Sequence, residues 1–182
     1  MGQINRPAPV LLLVASISRY RHAHDWARQQ LAAAWGSVAL ASQPLDFTET
    51  DYYAASMGTD LTKVFFAFER LIDPGQLPAL KCQTNRWEDE YRDLAGLPEL
   101  RPLNLDPGYL TEAKLVLAST KDHAHRLYLS EGIYGEVTLY YHKQCWQYRD
   151  WTYPDYRRTD YHQFFDQCRQ YLRDRRPAAA DS

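Results

Sequence analysis

The chain is poor in the features that usually announce a function. It has no GxxxxGK[ST] loop, no GxGxxG, no GxSxG elbow and no HExxH, so the familiar phosphate-cradling, dinucleotide, esterase and zinc-protease machineries are excluded by pattern. Only three cysteines occur in 182 residues, Cys82, Cys145 and Cys168, and none are in CxxC spacing. So odd and dispersed a set argues against a disulfide framework and a structural zinc site, and it points to a reducing, cytoplasmic compartment. The apolar run over residues 10–17 is too short to cross a bilayer, and no small-residue cleavage pattern follows it, so no membrane partner is expected. Met1-Gly2 begins like a myristoylation site, but Arg6 stands where Ser or Thr is needed. Nor does one charge dominate. The 21 Lys and Arg face 23 Asp and Glu, and the formal net charge of -2 supplies no general attraction to nucleic acid or anionic lipid.

What is there is aromatic and well patterned. Aromatic residues make up 14% of the chain, with 14 Tyr and 5 Trp, and tyrosine in excess suits half-wet surfaces such as clefts and interfaces. The length, with 45% apolar and 24% charged residues, fits one domain over 1–182, with 1–9 and 175–182 read as flexible ends. Residues 10–18 predict a central strand. Ala23, Trp26, Ala27, Leu31, Ala34 and Trp35 share one side of a helix over 23–35 that Gly36 can end. Residues 37–41 and 45–50 read as extended, and 63–71 as a second apolar strand. After an Asp73-Pro74-Gly75 turn, Leu77, Leu80, Thr84, Trp87, Tyr91 and Leu94 recur at spacings of three and four. They predict an amphipathic helix with Glu88 and Asp89 on its wet face.

Residues 101–106 then form a short strand. The order strand, helix, strand, strand, helix, strand is that of the ferredoxin-like split βαββαβ unit, an α+β fold with an antiparallel sheet and both helices on one face. A strand or short helix over 114–120 follows. A C-terminal β-hairpin (126–129 and 133–141) turns about a Ser130-Glu131-Gly132 loop, and a terminal helix covers 159–173. The hairpin register sets Arg126 opposite Glu136 and puts Ile133 and Leu139 on one face.

Residues able to do chemistry fall in five clusters. The densest is Asn104-Leu105-Asp106-Pro107-Gly108-Tyr109, where Pro-Gly predicts a turn closing a strand and Asn104 and Asp106 share a face at its carboxyl end. The predicted topology brings that end beside the carboxyl end of the 63–71 strand. Asp106, Glu69 and Lys114 therefore form the candidate catalytic group, two carboxylates and a lysine suited to hold a divalent metal or exchange protons. The plainer alternative is that Asn104 and Asp106 only build the turn. Second, Lys121 in a short polar loop can grip a phosphate or carboxylate, while His123 and His125 have metal-ligand spacing but no marked third ligand.

Third, Arg126 and Glu136 make a cross-strand ion pair, worth less than about 1 kcal/mol if exposed. Their face also carries Tyr128, Tyr134, Thr138 and Tyr140, which can stack a ring or be covered by the last helix. Fourth, the loop from Trp151 to Arg157 is too aromatic to leave in water, and either packs down or covers a ligand through Asp155, Tyr156 and Arg157. Fifth, Thr48, Glu49, Asp51, Tyr52 and Tyr53 form a patch that the predicted topology puts at the opposite end of the sheet from Asp106.

These stretches together resemble a known family, the prokaryotic domain-of-unknown-function family numbered 4416. The resemblance is carried by Thr50-Asp51-Tyr52-Tyr53 with Met57-Gly58, and by the segment from Asn104 to Tyr109. It continues through Lys114 to Ser119 with Lys121, His125 to Leu129, Gly132 to Leu139, and Trp151 to Tyr156. It implies a bacterial or archaeal cytosolic protein and supplies no activity. A GTP-binding label attached to such proteins finds neither a P-loop nor an NKxD-type base reader here.

The expected function is a small-molecule site for an anionic or nucleotide-like ligand, with Asn104, Tyr109, Lys121, Arg126, Glu136, Asp155 and Tyr156 binding and the Asp106 group acting with or without a divalent metal. Whether it is an enzyme stays open. The rival is a non-enzymatic interaction module or homodimer that uses the aromatic surfaces. A nucleic-acid reader is disfavoured because no basic stripe accompanies the aromatics.

Overall fold

The computed structural model describes residues 2–175. Of the ends expected to be flexible, Met1 and residues 176–182 lie outside the described residues, while residues 2–9 carry no helix or strand and are exposed. Among the described residues the fold is α+β, with a nine-stranded antiparallel sheet and four helices. It runs β1 (Val10–Ser18), α1 (Arg21–Trp35), β2 (Val38–Ala41), β3 (Leu45–Asp46), α2 (Ala54–Met57), β4 (Thr62–Ile72), α3 (Leu77–Ala95) and β5 (Asn104–Leu110). It continues with β6 (Lys114–Ser119), β7 (Leu127–Ser130), β8 (Ile133–His142), β9 (Cys145–Gln147) and α4 (Thr159–Arg175). The strands lie in the order β2-β4-β1-β5-β6-β8-β7, with β3 beside β4 and β9 beside β8.

β1 is buried at all nine positions because neighbours flank it on both edges and helices cover both faces. Val10, Leu12 and Val14 face α1 and α3, where they meet Ala23, Ala27, Leu31 and Tyr91. Leu11, Leu13 and Ala15 face α4, where Tyr161, Phe164, Phe165, Cys168 and Leu172 close a second core. A strand buried on both faces reads as a continuous apolar run, which is why alternation is absent there. Phe65 is the hub on the α4 side. Its ring lies 4.8 to 6.1 Å from those of Tyr156, Tyr161, Phe164 and Phe165. α4 therefore covers the central strands rather than the tyrosine face of the hairpin.

Three expectations are corrected. First, Asp106-Pro107-Gly108 is not a turn. β5 runs through it, with Asp106 opposite Ala15, Pro107 opposite Val14 and Gly108 opposite Leu13. Gly108 is needed for closeness rather than for turning. A Cβ there would run into the Val116 carbonyl oxygen and lie 2.7 Å from the Leu117 Cδ2. Second, the hairpin turns on two residues, Glu131 and Gly132, both at positive φ (54° and 75°), as the mirror-image turn that matches strand twist requires. A bulge puts Ser130 rather than Leu129 opposite Ile133.

Third, the β6–β8 ladder is irregular, pairing Leu115 with Leu139 but Val116 with Val137. The extra residue reverses the facing of everything beyond it. Ile133 joins a cluster with Leu77, Val116 and Ala118, whereas Leu139 packs in the α4 core, so the two do not share a face.

Candidate functional site

β5 and β6 part company at Pro107. They pair over Gly108–Leu117, Tyr109–Val116 and Leu110–Leu115, and there the ladder stops, while β6 stays with β8 up to Ser119–Tyr134. Between Asn104–Asp106 on one side and 118–121 on the other the sheet therefore opens into a cavity of about 540 Å³. Proline, which offers no backbone N–H, sits at the first position where no β6 partner exists. The segment over 47–53, one face of α3 (Lys81, Asn85, Glu88), Lys63 of β4, Arg101 and the short turn Pro154–Arg157 contribute further walls.

On the β5 side, Asp106 accepts a hydrogen bond from Lys81 Nζ at Oδ1 (3.0 Å) and from the Asn104 amide at Oδ2 (2.6 Å). Lys81 also donates to the Leu105 carbonyl oxygen (2.8 Å) and lies 3.9 Å from Glu88. Glu88 accepts from the Leu105 backbone N–H (2.7 Å) and from Arg101 (2.6 Å). Burial pushes the Asp106 carboxyl up, but the charge and hydrogen bond of Lys81, with Lys63 and Asn104, outweigh it and hold its pKa below the usual value. At Glu88 burial wins over Lys81 and Arg101, and the pKa is raised.

On the β8 side, Arg126 Nε donates to Glu136 Oε2 (2.7 Å), and its other nitrogens reach the Ser119 hydroxyl, the Lys121 carbonyl oxygen and the Tyr153 hydroxyl. Thr138 donates to the second Glu136 oxygen, and His125 stands 3.2 Å from the first. This pair is sealed, with side chains 3% and 2% exposed, and not the exposed pair the register suggested. Burial opposes the Arg126 charge, but Glu136 raises its pKa overall.

Of its rings the aromatic loop packs down only that of Tyr156, while Trp151 and Tyr153 stay exposed (45% and 46%), and Tyr153 to Tyr156 line the cavity. Thr152 bonds to the Thr138 carbonyl oxygen and Arg157 to that of Thr152, which anchors the following turn. That turn delivers Asp155 to the Lys63 ammonium and Tyr156 to the α4 core. Lys63 in turn lies 4.5 Å from the Phe47 ring and 4.7 Å from Tyr156. At the rim, Lys121 bonds to the Tyr52 hydroxyl, its ammonium 4.3 Å from that ring, and this hydrogen bond lowers the Tyr52 pKa.

Of the residues expected to act, Asp106, Asn104, Lys121, Arg126, Glu136, Asp155 and Tyr156 line this one cavity. Three do not. Glu69 is exposed toward the other end of β4, because the site lies at the Lys63 end. Lys114 is exposed and opposite Tyr140, at the end of β6 away from Ser119. Tyr109 packs against the cores under α3. The expected convergence of Glu69 and Lys114 on Asp106 is therefore corrected, and so is the distance of the fifth patch. Glu49, Thr50, Tyr52 and Tyr53 reach the same cavity, since Asn104 and Asp106 open β5 rather than close it.

His123 and His125 stack face to face (5.8 Å, 9°), and no group of three or more His, Cys, Asp or Glu among the described residues is arranged to hold a metal ion. Lys63, Lys81, Glu88 and Arg101 were missed. A polar stripe at 81, 85 and 88, beside the apolar stripe of the same helix, is the signal that could have found two of them.

No helix among the described residues is long and apolar enough to cross a membrane. No curated protein and no solved structure matches the chain. The model of the family described as "Domain of unknown function (DUF4416)" matches residues 8–171, nearly the whole chain and every wall of the cleft, and the chain belongs to that family.

Proposed function

We propose that the cleft binds an anionic small molecule of nucleotide-like size. The observation that carries this reading is the state of Lys121. Four cations lining the cavity are already taken, Lys63 by Asp155, Lys81 by Asp106, Arg101 by Glu88 and Arg126 by Glu136. Lys121 is held only by a neutral phenol and makes no ion pair among the described residues. An anion can replace that phenol without breaking a salt bridge. The volume of about 540 Å³ lies in the range of small-molecule sites, and the rings of Phe47, Tyr53 and Tyr153 supply apolar wall. Asp106 is the carboxylate we assign to proton handling, or to a divalent cation carried in with the ligand, since a quarter of its side chain opens to the cavity.

A thermal-shift screen with sugar phosphates and nucleotides, with and without Mg²⁺, tests the proposal. A ligand at a hundred times its Kd adds about 2.7 kcal/mol of stability. Lys121→Ala is expected to abolish that gain while leaving the unliganded midpoint in place. An unchanged ligand response in the variant sinks the reading.

A second reading, a homodimer, is favoured by one observation. The edge strand β7 exposes Leu127 (75%), Tyr128 (62%) and Leu129 (43%), with unpaired backbone groups along its outer side. Light scattering across a concentration series, with Leu127→Lys as the disrupting change, checks it, and a monomer at every concentration removes it. We further read the chain as one cytoplasmic domain whose first six main elements form the ferredoxin-like unit. The order β2-β4-β1-β5 with α1 and α3 on one face supports this, as do the three unpaired cysteines.

A further inference from the structure

The two ends of the cleft differ in burial and in unmet hydrogen bonding. Lys121 and Tyr52 stand at the wet end, both exposed. Asp155 and Tyr156 stand at the sealed end, each 3% exposed. Asp155 Oδ2 accepts from the Lys63 ammonium, but the other oxygen accepts no hydrogen bond from the described residues. The hydroxyls of Tyr156 and Tyr53 make none with the described residues either, whose side-chain bonds to these two tyrosines go to their backbone carbonyl oxygens. None of these three is among the fully shut-in unpaired atoms, which belong to Tyr91, Trp146, Tyr161 and Tyr171. The free oxygen of this buried carboxylate lines the cavity, so it stands ready to accept from a donor on a guest. The Lys63 ammonium sits between the Phe47 and Tyr156 rings, 4.5 and 4.7 Å from them, with its bond on Oδ2.

We infer that the ligand is a hydroxylated anion of the sugar-phosphate class, with its anionic group at Lys121 and a hydroxyl donating to the free oxygen of Asp155. This rests on the anion-binding reading above and adds what the deep end recognises. The orientation follows from charge. A phosphate at the deep end meets the Asp155 carboxylate, and an amine there meets the Lys63 ammonium, whereas a neutral hydroxyl meets neither penalty. Tyr156 and Tyr53 then donate to the ligand's ring or neighbouring oxygens. Burial and the Asp155 charge push the Tyr156 phenol well above its ordinary pKa, so it stays a donor.

Isothermal titration of the full chain with ribose 5-phosphate, inorganic phosphate and ribose tests the inference. Ribose 5-phosphate is expected to bind at least about tenfold tighter than phosphate, the worth of one good hydrogen bond, with ribose weakest. Lys121→Ala weakens ribose 5-phosphate and phosphate by the same factor. Asp155→Asn lowers the preference for ribose 5-phosphate over phosphate about tenfold, and phosphate itself loses no affinity, since the change removes a negative charge from the cavity. Because that change leaves Lys63 without its counter-charge and threatens folding, Tyr156→Phe is the second variant. It deletes one hydroxyl and is expected to cost ribose 5-phosphate about three- to tenfold, again sparing phosphate. Equal binding of ribose 5-phosphate and phosphate, or no effect of either deep-end change, overturns the inference and leaves the anion site standing. Binding of neither anion overturns both.

Discussion

The two walls of the cleft carry the same kind of group, a carboxylate beside a cation, in two different states. On the β8 wall Arg126 and Glu136 are sealed and every Glu136 oxygen has a partner. On the β5 wall Lys81 and Asp106 meet at 3.0 Å with a quarter of the Asp106 side chain open to the cavity. Charges that have lost all contact with water must stay paired, so the first pair belongs to the fold. Charges still facing a cavity can change partner, so the second is free to serve a guest.

The largest effect that tests this contrast is Arg126→Ala. It leaves Glu136 buried without its strongest partner and is expected to cost about 3–5 kcal/mol in urea unfolding. A loss below about 1 kcal/mol makes the sealed pair behave as a surface one and ends the contrast. A second sealed cluster sharpens it. His24 on α1 bonds to the Ser16 hydroxyl (2.8 Å) and the Thr62 hydroxyl (3.0 Å), and burial lowers its pKa from 6.5 to about 4. The unfolded chain takes up this proton below 6.5 and the folded one only near 4. The stability this group contributes is thus whole above pH 6.5, falls as pH drops through that window and is gone below 4. It amounts to about 3 kcal/mol. Unfolding midpoints of wild type and His24→Gln, compared at pH 7.5 and 4.5, read it directly, and parallel pH responses of the two would remove His24 from the sealed class.

The smallest effect belongs to the open wall. Asp106→Asn is expected to cost under about 1.5 kcal/mol, because Lys81 keeps the Leu105 carbonyl oxygen and the nearby Glu88. A loss of 3 kcal/mol or more would make the walls alike and return Asp106 to a purely structural role.

Helices were legible in the sequence because each buries a face whose period is local, and the central strand because burial on both faces makes it a continuous apolar run. The α3 stripe is buried at Leu77, Thr84 and Tyr91 and half-buried at Leu80 and Trp87, as its spacing predicts, but Leu94 in the last turn is exposed. The same stripe misassigned Glu88 to the wet face, since its burial depends on the Leu105 N–H, 17 residues along the chain. Pro107-Gly108 misled for a related reason. Locally the pair signals a turn, and only the closeness of Val116 makes the glycine a packing requirement instead.

By itself the chain determined where the long helices and the apolar strands lie, which residues carry charge and that the spacings of known cofactor motifs are absent. These follow from nearest-neighbour sterics and from periods of two and 3.6 residues. Tertiary structure alone decided that β5 and β6 diverge at Pro107. It also set which end of the sheet opens, and that Lys63, Lys81 and Asp155 meet there while Glu69 and Lys114 do not. The reason is physical. Strand register and bulges are set by contacts between segments far apart in the chain, and a one-residue shift turns every later side chain to the other face.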